Sequence, residues 1–204
     1  MNGKEELIFT NNSIKLSTDP NDAAVMHSGE RKLMEKLVEI ATPNGGDILE
    51  IGFGLHLSAD AIQRTPNIKS HTIIEIHPQI YKQALEWAKD KPNTKIILGD
   101  WKDVLPLENI KFDGVVHDTH LDCHIPAFLD YVKDNCKKGT IVAFFEYPVF
   151  DFRLNGFRFS MPEEDFNSLP YKEHIAFLNN IFELKYTRFD GNKFYSDNIT
   201  NKLL

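Results

Sequence analysis

The sequence predicts an α/β fold, a mostly parallel sheet of seven strands wound by helices and closed by a C-terminal antiparallel hairpin. Three observations carry this expectation. Short apolar runs alternate with helical patterns along the chain, as in successive β-α-β units. Ile48, Leu49 and Ile51 form a buried run that ends on Gly52-Phe53-Gly54 and passes at once into a helical pattern. Near the C-terminus, Asp190-Gly191-Asn192 separates two strand-like runs with the chemistry of a hairpin turn.

Each element follows from local pattern. Residues 1–22 are polar and broken by Asn, Ser and Pro, and read as a loose arm or lid. A helix is expected from Ala23 to Ala41, stopped by Pro43-Asn44-Gly45-Gly46. Strand one is Asp47 to Ile51, followed by a helix from Leu57 to Arg64. Strand two is His71 to Ile76. Pro78 then suits the first turn of a helix through Asp90, whose inner stripe is Ile80, Tyr81, Ala84, Leu85 and Ala88. Strand three is Lys95 to Leu98 and strand four Phe112 to His117. A helix from Ile125 to Cys136 leads through Lys138-Gly139 into strand five, Thr140 to Phe145. A last helix, Tyr171 to Ile181, precedes the hairpin strands Glu183 to Phe189 and Lys193 to Ser196.

Composition bounds the function classes. At 204 residues the chain fits a single domain spanning 1–204. A formal net charge of -7 argues against nonspecific binding to nucleic acid. No apolar run reaches the roughly 18 residues of a membrane span, and no secretory leader is visible. Cys123 and Cys136 form no CxxC pair, so a reducing cytoplasm is the expected compartment.

The glycine loop points to a nucleotide-bearing cofactor. Gly52 and Gly54 permit positive φ and close approach of backbone to ligand. Glu75 closes the next strand, with Ile76 beside it, at the distance where such folds bind a ribose diol. A dinucleotide site would carry a third glycine, and here that position is Leu57. Glu50, at the end of strand one, would repel a pyrophosphate but suit the ammonium and sulfonium of S-adenosylmethionine. Glu-x-Gly-x-Gly followed by an acid on the next strand resembles motifs I and II of class I methyltransferases. That resemblance implies S-adenosylmethionine as cofactor and a Rossmann-like fold.

A narrower resemblance runs from Val25 to Phe150. Val25-Met26 with Glu30 four residues on, Leu49 to Gly54, Ile73-Ile74-Glu75, and Gly99-Asp100-Trp101-Lys102-Asp103-Val104 occur in the order and spacing of guanidinoacetate N-methyltransferase and the related arginine methyltransferases. Phe112-Asp113-Gly114 followed by Asp118-Thr119 continues the match. The family has Trp-Glu-Thr-Pro around the N-terminal acid, where this chain has Gly29-Glu30-Arg31-Lys32. After strand four it has Tyr-Asp-Thr-Tyr, where this chain has His117-Asp118-Thr119-His120. The resemblance implies N-methylation of a small guanidino or amino compound, with protein arginine methylation, or different and metal-dependent chemistry on the same fold, as alternatives.

The candidate residues gather at the C-terminal ends of the strands. Glu30 falls in the apolar stripe of its expected helix, where a carboxylate needs a cation or a wet cavity. The resemblance makes it a ligand for the acceptor. Asp118 ends strand four beside the switch point of the sheet. There it could orient an acceptor nitrogen and take its proton, or simply cap the next helix. Glu146, ending strand five, offers a third acid at the same mouth, or a solvated loop acid. Asp100 and Trp101 follow strand three, where an acid and an aromatic suit adenine, although Trp101 also reads as core. His120 and His124, spaced i, i+4, admit a metal reading with Asp118 or Asp122, but the favoured reading places them on the acceptor pocket or surface, with His120 sharing base duty. Arg153 and Arg158 could meet an acceptor carboxylate.

Overall fold

The computed structural model describes residues 3–18, 24–107, 109–119, 125–146, 183–189 and 194–198. It opens on a small antiparallel sheet of β1 (Leu7–Phe9), β2 (Ser13–Leu16) and β3 (Ala24–His27), in that order. The turn between the first two is set by Thr10, whose hydroxyl accepts from the Ser13 N–H at 2.9 Å. This sheet corrects two expectations, the loose arm and the helix beginning at Ala23. The reason is burial. Leu7 and Ile14 pack with Phe53, Ala59, Ile73, Ile80 and Ala84, and Ile14 is 0% exposed.

A single 3-10 turn, Ser28–Glu30, then leads into α1 (Arg31–Ala41). Glu30 and His27 close a capping box: the Glu30 carboxylate accepts from the His27 N–H at 2.7 Å, and His27 Nδ1 accepts from Gly29 N–H at 3.0 Å. Glu30 therefore stands ahead of the helix rather than inside its apolar stripe.

The larger sheet follows. Its elements are β4 (Gly46–Ile51), α2 (Leu57–Arg64), β5 (Ile68–Glu75), α3 (Pro78–Trp87), β6 (Thr94–Leu98), α4 (Trp101–Val104), β7 (Phe112–His117), α5 (Ile125–Val132), β8 (Cys136–Glu146), β9 (Glu183–Phe189) and β10 (Phe194–Asn198). The strand order is β10-β9-β8-β7-β4-β5-β6. The five strands from β8 to β6 run parallel, and β9 and β10 add antiparallel to the β8 edge. Strand β4 lies between β5 and β7, so the order reverses there and a crevice opens at its C-terminal end.

Two boundaries differ from expectation. The helix expected through Cys136 ends at Val132, and β8 starts at Cys136 rather than Thr140. Lys137 accounts for this, because its ammonium is held by Asp47 at 2.8 Å and Asp113 at 2.7 Å, which draws the chain onto the sheet early. Likewise α3 stops at Trp87 and finishes as a 3-10 turn, Ala88–Asp90. The expected helix Tyr171 to Ile181 lies outside the described residues. No helix among the described residues is long and apolar enough to cross a membrane.

Strand alternation sorts the core into two faces. Ile48, Val116 and Ala143 pack under α1 and α2 with Met34, Leu37, Leu57 and Ile62. Leu49, Ile51, Val115 and Val142 pack on the opposite face with Phe128 and Val132 of α5.

The N-terminal sheet is part of this core, so Ile14→Ala should cost about 2–4 kcal/mol in a denaturant titration, the range for emptying a buried aliphatic site. A loose arm would leave the midpoint unchanged.

Candidate active site

Strand β4 ends in a loop that keeps its backbone bare. Gly52 donates its N–H to Ile74 O at 2.9 Å, and Asp118 donates its own to Ile51 O at 3.0 Å. The end of β4 is thereby tied to both neighbouring strands. Gly52 has φ +88°, and a Cβ on it would run into the Asp118 carbonyl, so glycine is required twice over. At Gly54, with φ +49°, a Cβ would strike the Met26 sulfur. That sulfur accepts the Leu55 N–H at 3.0 Å, which fixes the far side of the loop from β3.

Glu75 braces the loop from the neighbouring strand. Its carboxylate accepts from Phe53 N–H at 2.9 Å and from His77 N–H at 2.7 Å. Burial raises its pKa, and the backbone donors partly offset this. The Gly54 N–H is a third backbone donor to it, and a carboxylate offers about four acceptor sites, so Glu75 retains capacity for a further donor such as a ribose hydroxyl. Ile76 is half-buried, with Gly3 passing against its carbonyl. His77 Nε2 donates to Glu5 O at 2.7 Å, which brings the N-terminal segment over this end of β5. The bare loop and the buried acid fit S-adenosylmethionine, with the backbone at Gly52 to Gly54 and the Glu75 carboxylate as the groups that would hold it.

Two carboxyls stand near the end of β7. Asp118 follows β7, and Glu30 stands in the turn ahead of α1, near enough for its charge to bear on Asp118. Burial pushes the Glu30 carboxyl up to about 7, against the pull of the His27 N–H. Burial, then the negative charges of Glu30 and Glu50, push Asp118 up to about 8. Protons are held near neutrality here, which suits a group that takes one from an incoming cation.

Glu50 requires a correction. Its side chain is 0% exposed, and its two oxygens are engaged by the Ser58 hydroxyl and by His71 Nε2, the latter at 2.8 Å. It therefore turns under α2 rather than toward a cofactor cation. Trp101 is likewise corrected. It is 4% exposed and sits in the core against Phe128 and Tyr131, at centroid distances of 5.1 and 5.2 Å, because α4 turns it inward. Asp100 accepts from Lys102 N–H at 3.0 Å and caps that helix. Glu146 is the last residue of β8 and pairs with Glu183 of β9. His120, His124, Arg153 and Arg158 lie outside the described residues.

Sequence reasoning missed Met26, His77, Ser58 and His71 as parts of the site's support. Only His77 carried a local signal, its place before Pro78 at a helix start.

The raised acids make a stability prediction. Asp118 ionises near 3.8 when unfolded and near 8 when folded, so the folded state loses stability as pH climbs between those values. Asp118→Asn lacks this loss. Its melting temperature should rise relative to the wild type from pH 5 to pH 8 and level off above; a pH-independent difference would refute the shift.

Comparisons with known proteins bear on this geometry. The family model of guanidinoacetate N-methyltransferase matches residues 15–140. Protein arginine N-methyltransferase 2 of Yarrowia lipolytica is 28% identical over 154 residues, 70% of this chain and 32% of its own length. The protein of the same name from Candida glabrata is 34% identical over 125 residues, 56% of this chain and 30% of its own. The chain spans about a third of the length of these relatives. A spermidine synthase solved with the transition-state analogue AdoDATO superposes with a TM-score of 0.53 at 13% identity, covering 72% of this chain and 59% of that one, which is likeness of fold. With its glycine loop, its strand-end acid and a family match over most of its length, the chain belongs to the guanidinoacetate N-methyltransferase family, class I enzymes that use S-adenosylmethionine.

Proposed function

We propose that this chain transfers the sulfonium methyl of S-adenosylmethionine to a nitrogen of a small guanidino or amino compound resembling guanidinoacetate. The observation that supports this reading is the pair Glu30 and Asp118, two acids near the end of β7 whose proton affinities are raised to about 7 and about 8. A guanidinium is planar, cationic and rich in donors, so it relieves the repulsion between the two acids while hydrogen-bonding to both.

When bound, the cofactor supplies an electrophilic methyl carbon on a sulfonium leaving group. Asp118 aligns the acceptor nitrogen and receives its proton as the nitrogen–carbon bond forms and the carbon–sulfur bond breaks. Glu30 holds the rest of the cation in plane. Glu75 would hold the ribose, with Ile76 and Asp100 toward the base, and the loop from Gly52 to Gly54, seated against Asp118 and Met26, would give the cofactor a fixed backbone edge. Glu146 adds negative potential at the same end of the sheet. His120 serves as an auxiliary group on the acceptor side. The domain 1–204 acts as one unit in this reading.

Methylation of arginine within a protein is a second reading, supported by the likeness to the two fungal relatives named for it. A panel of guanidinoacetate, other guanidino compounds, amines and arginine peptides, read by release of S-adenosylhomocysteine, separates the two. Turnover should appear with the small guanidino compounds. Turnover confined to peptide arginine moves the acceptor to the second reading, and none with any acceptor ends both.

The base is tested by Asp118→Asn, which keeps shape but cannot take a proton. Turnover should fall by on the order of 10²-fold or more, with near-normal cofactor affinity by calorimetry. His120→Ala should be milder. A fully active Asp118→Asn beside a dead His120→Ala would transfer the base role to His120.

A further inference from the structure

We propose that Thr119 is a cofactor-binding residue, its buried hydroxyl reserved for the carboxylate at the amino-acid end of S-adenosylmethionine.

The glycine loop cannot supply the donors that a carboxylate needs. From Gly52 to His56 each backbone N–H is already engaged. Gly52 donates to Ile74 O at 2.9 Å, and His56 donates to Phe53 O at 2.8 Å. Phe53 and Gly54 donate to the Glu75 carboxylate, the former at 2.9 Å. Leu55 donates to the Met26 sulfur at 3.0 Å. The loop offers a ligand its shape, and hydrogen bonds to an anion must come from beside it.

Thr119 stands beside it. It follows Asp118, whose N–H bonds to Ile51 O at 3.0 Å and draws the chain leaving β7 against the end of β4. The Thr119 methyl, Cγ2, lies 3.8 Å from the point where a Cβ on Gly52 would stand, so this side chain flanks the ground that the glycine leaves open. The hydroxyl sits on the same β-carbon. It is out of contact with solvent and has no hydrogen-bond partner among the described residues. A buried hydroxyl without a partner is costly, and a folded protein keeps few of them. The residue as a whole is only half-buried, and a turn about χ1 between staggered positions brings the oxygen to its open side. A carboxylate there receives a charge-assisted O–H···O bond and gives the hydroxyl the partner it lacks. Strand β4 lies between β5 and β7, so a cofactor with its ribose on Glu75 crosses Gly52 and carries its amino-acid end toward Asp118 and Thr119.

This role rests on the cofactor and not on the acceptor, so binding reads it without turnover. Calorimetry of the full chain compares S-adenosylmethionine with decarboxylated S-adenosylmethionine, which lacks only the carboxylate. Thr119→Val keeps the shape and removes the hydroxyl. Its affinity for S-adenosylmethionine should fall about tenfold, the scale for losing a hydrogen bond to a charged group, while its affinity for the decarboxylated compound stays that of the wild type. Thr119→Ser keeps the hydroxyl and should keep both affinities. Without ligand, the melting temperature of Thr119→Val should hold or rise, because a methyl replaces an unpaired hydroxyl. Unchanged S-adenosylmethionine affinity in Thr119→Val overturns the proposal, as does equal weakening of both compounds, which marks an effect through the shape of the loop. A lower melting temperature of ligand-free Thr119→Val, or its failure to fold, overturns it too, since the hydroxyl then has a structural partner. A wild type that binds S-adenosylmethionine yet transfers its methyl to no acceptor would sink the proposed function and leave Thr119 in its role.

Discussion

Between Gly52 and Asp118 two strand ends pass so closely that a single added carbon would collide with a carbonyl. The rest of the site depends on that contact. It lets Asp118 bond to Ile51 while Gly52 bonds to Ile74, so three parallel strands end in register around one crevice. From there the chain must leave with positive φ at Gly52, Gly54 and His56 before α2 can begin. The backbone N–H groups of that detour are taken by Glu75 and by the Met26 sulfur, one from each side. A loop so short and so fully tied has little freedom to rearrange, which suits a surface that must be ready before its ligand arrives.

The electrostatics follow from the same arrangement. Asp118 is tied by its N–H to Ile51 O beside Glu50, and the charges of Glu30, from the capping turn ahead of α1, and of Glu50 both bear on it. Three basic side chains among the described residues are committed to other partners. Arg31 leans to Asp60, Arg64 to Glu35, and Lys137 clasps Asp47 and Asp113 at the opposite end of the strands. Carboxyls left in partial burial without a cation hold their protons to higher pH. The face is therefore prepared for a positive guest, and its acid–base character comes from the fold rather than from any single residue.

The parallel strands were legible because buried runs bounded by glycine need no long-range information. The acids at their ends followed from strand termini alone, and Glu75, Asp118 and the glycine loop meet where their spacing implied. The N-terminal sheet was not legible. Its strands of three and four residues are too short to show a period, and their burial comes from Phe53, Ile73 and Ile80, far along the chain. Glu30 was placed on a continuous helix because Met26, Leu33 and Leu37 mimic one stripe, although Met26 belongs to a strand. Glu50 was aimed at the cofactor because its partners, Ser58, His71 and Gln63, come from two other elements. Trp101 reads first as a cofactor contact and second as core, and the inward turn of α4 decides for the core.

Met26, Gly3 and Glu5 give the first part of the chain an importance that its polar composition hides. Through them the small sheet leans on the glycine loop and on the residues just past Glu75. Thermodynamic linkage then works in both directions. Whatever seats against the loop lends its binding free energy to three strands it need not touch, and whatever loosens those strands weakens the seat. Solvent protection of the backbone amides in β1, β2 and β3 becomes a gauge of occupancy at the centre of the large sheet.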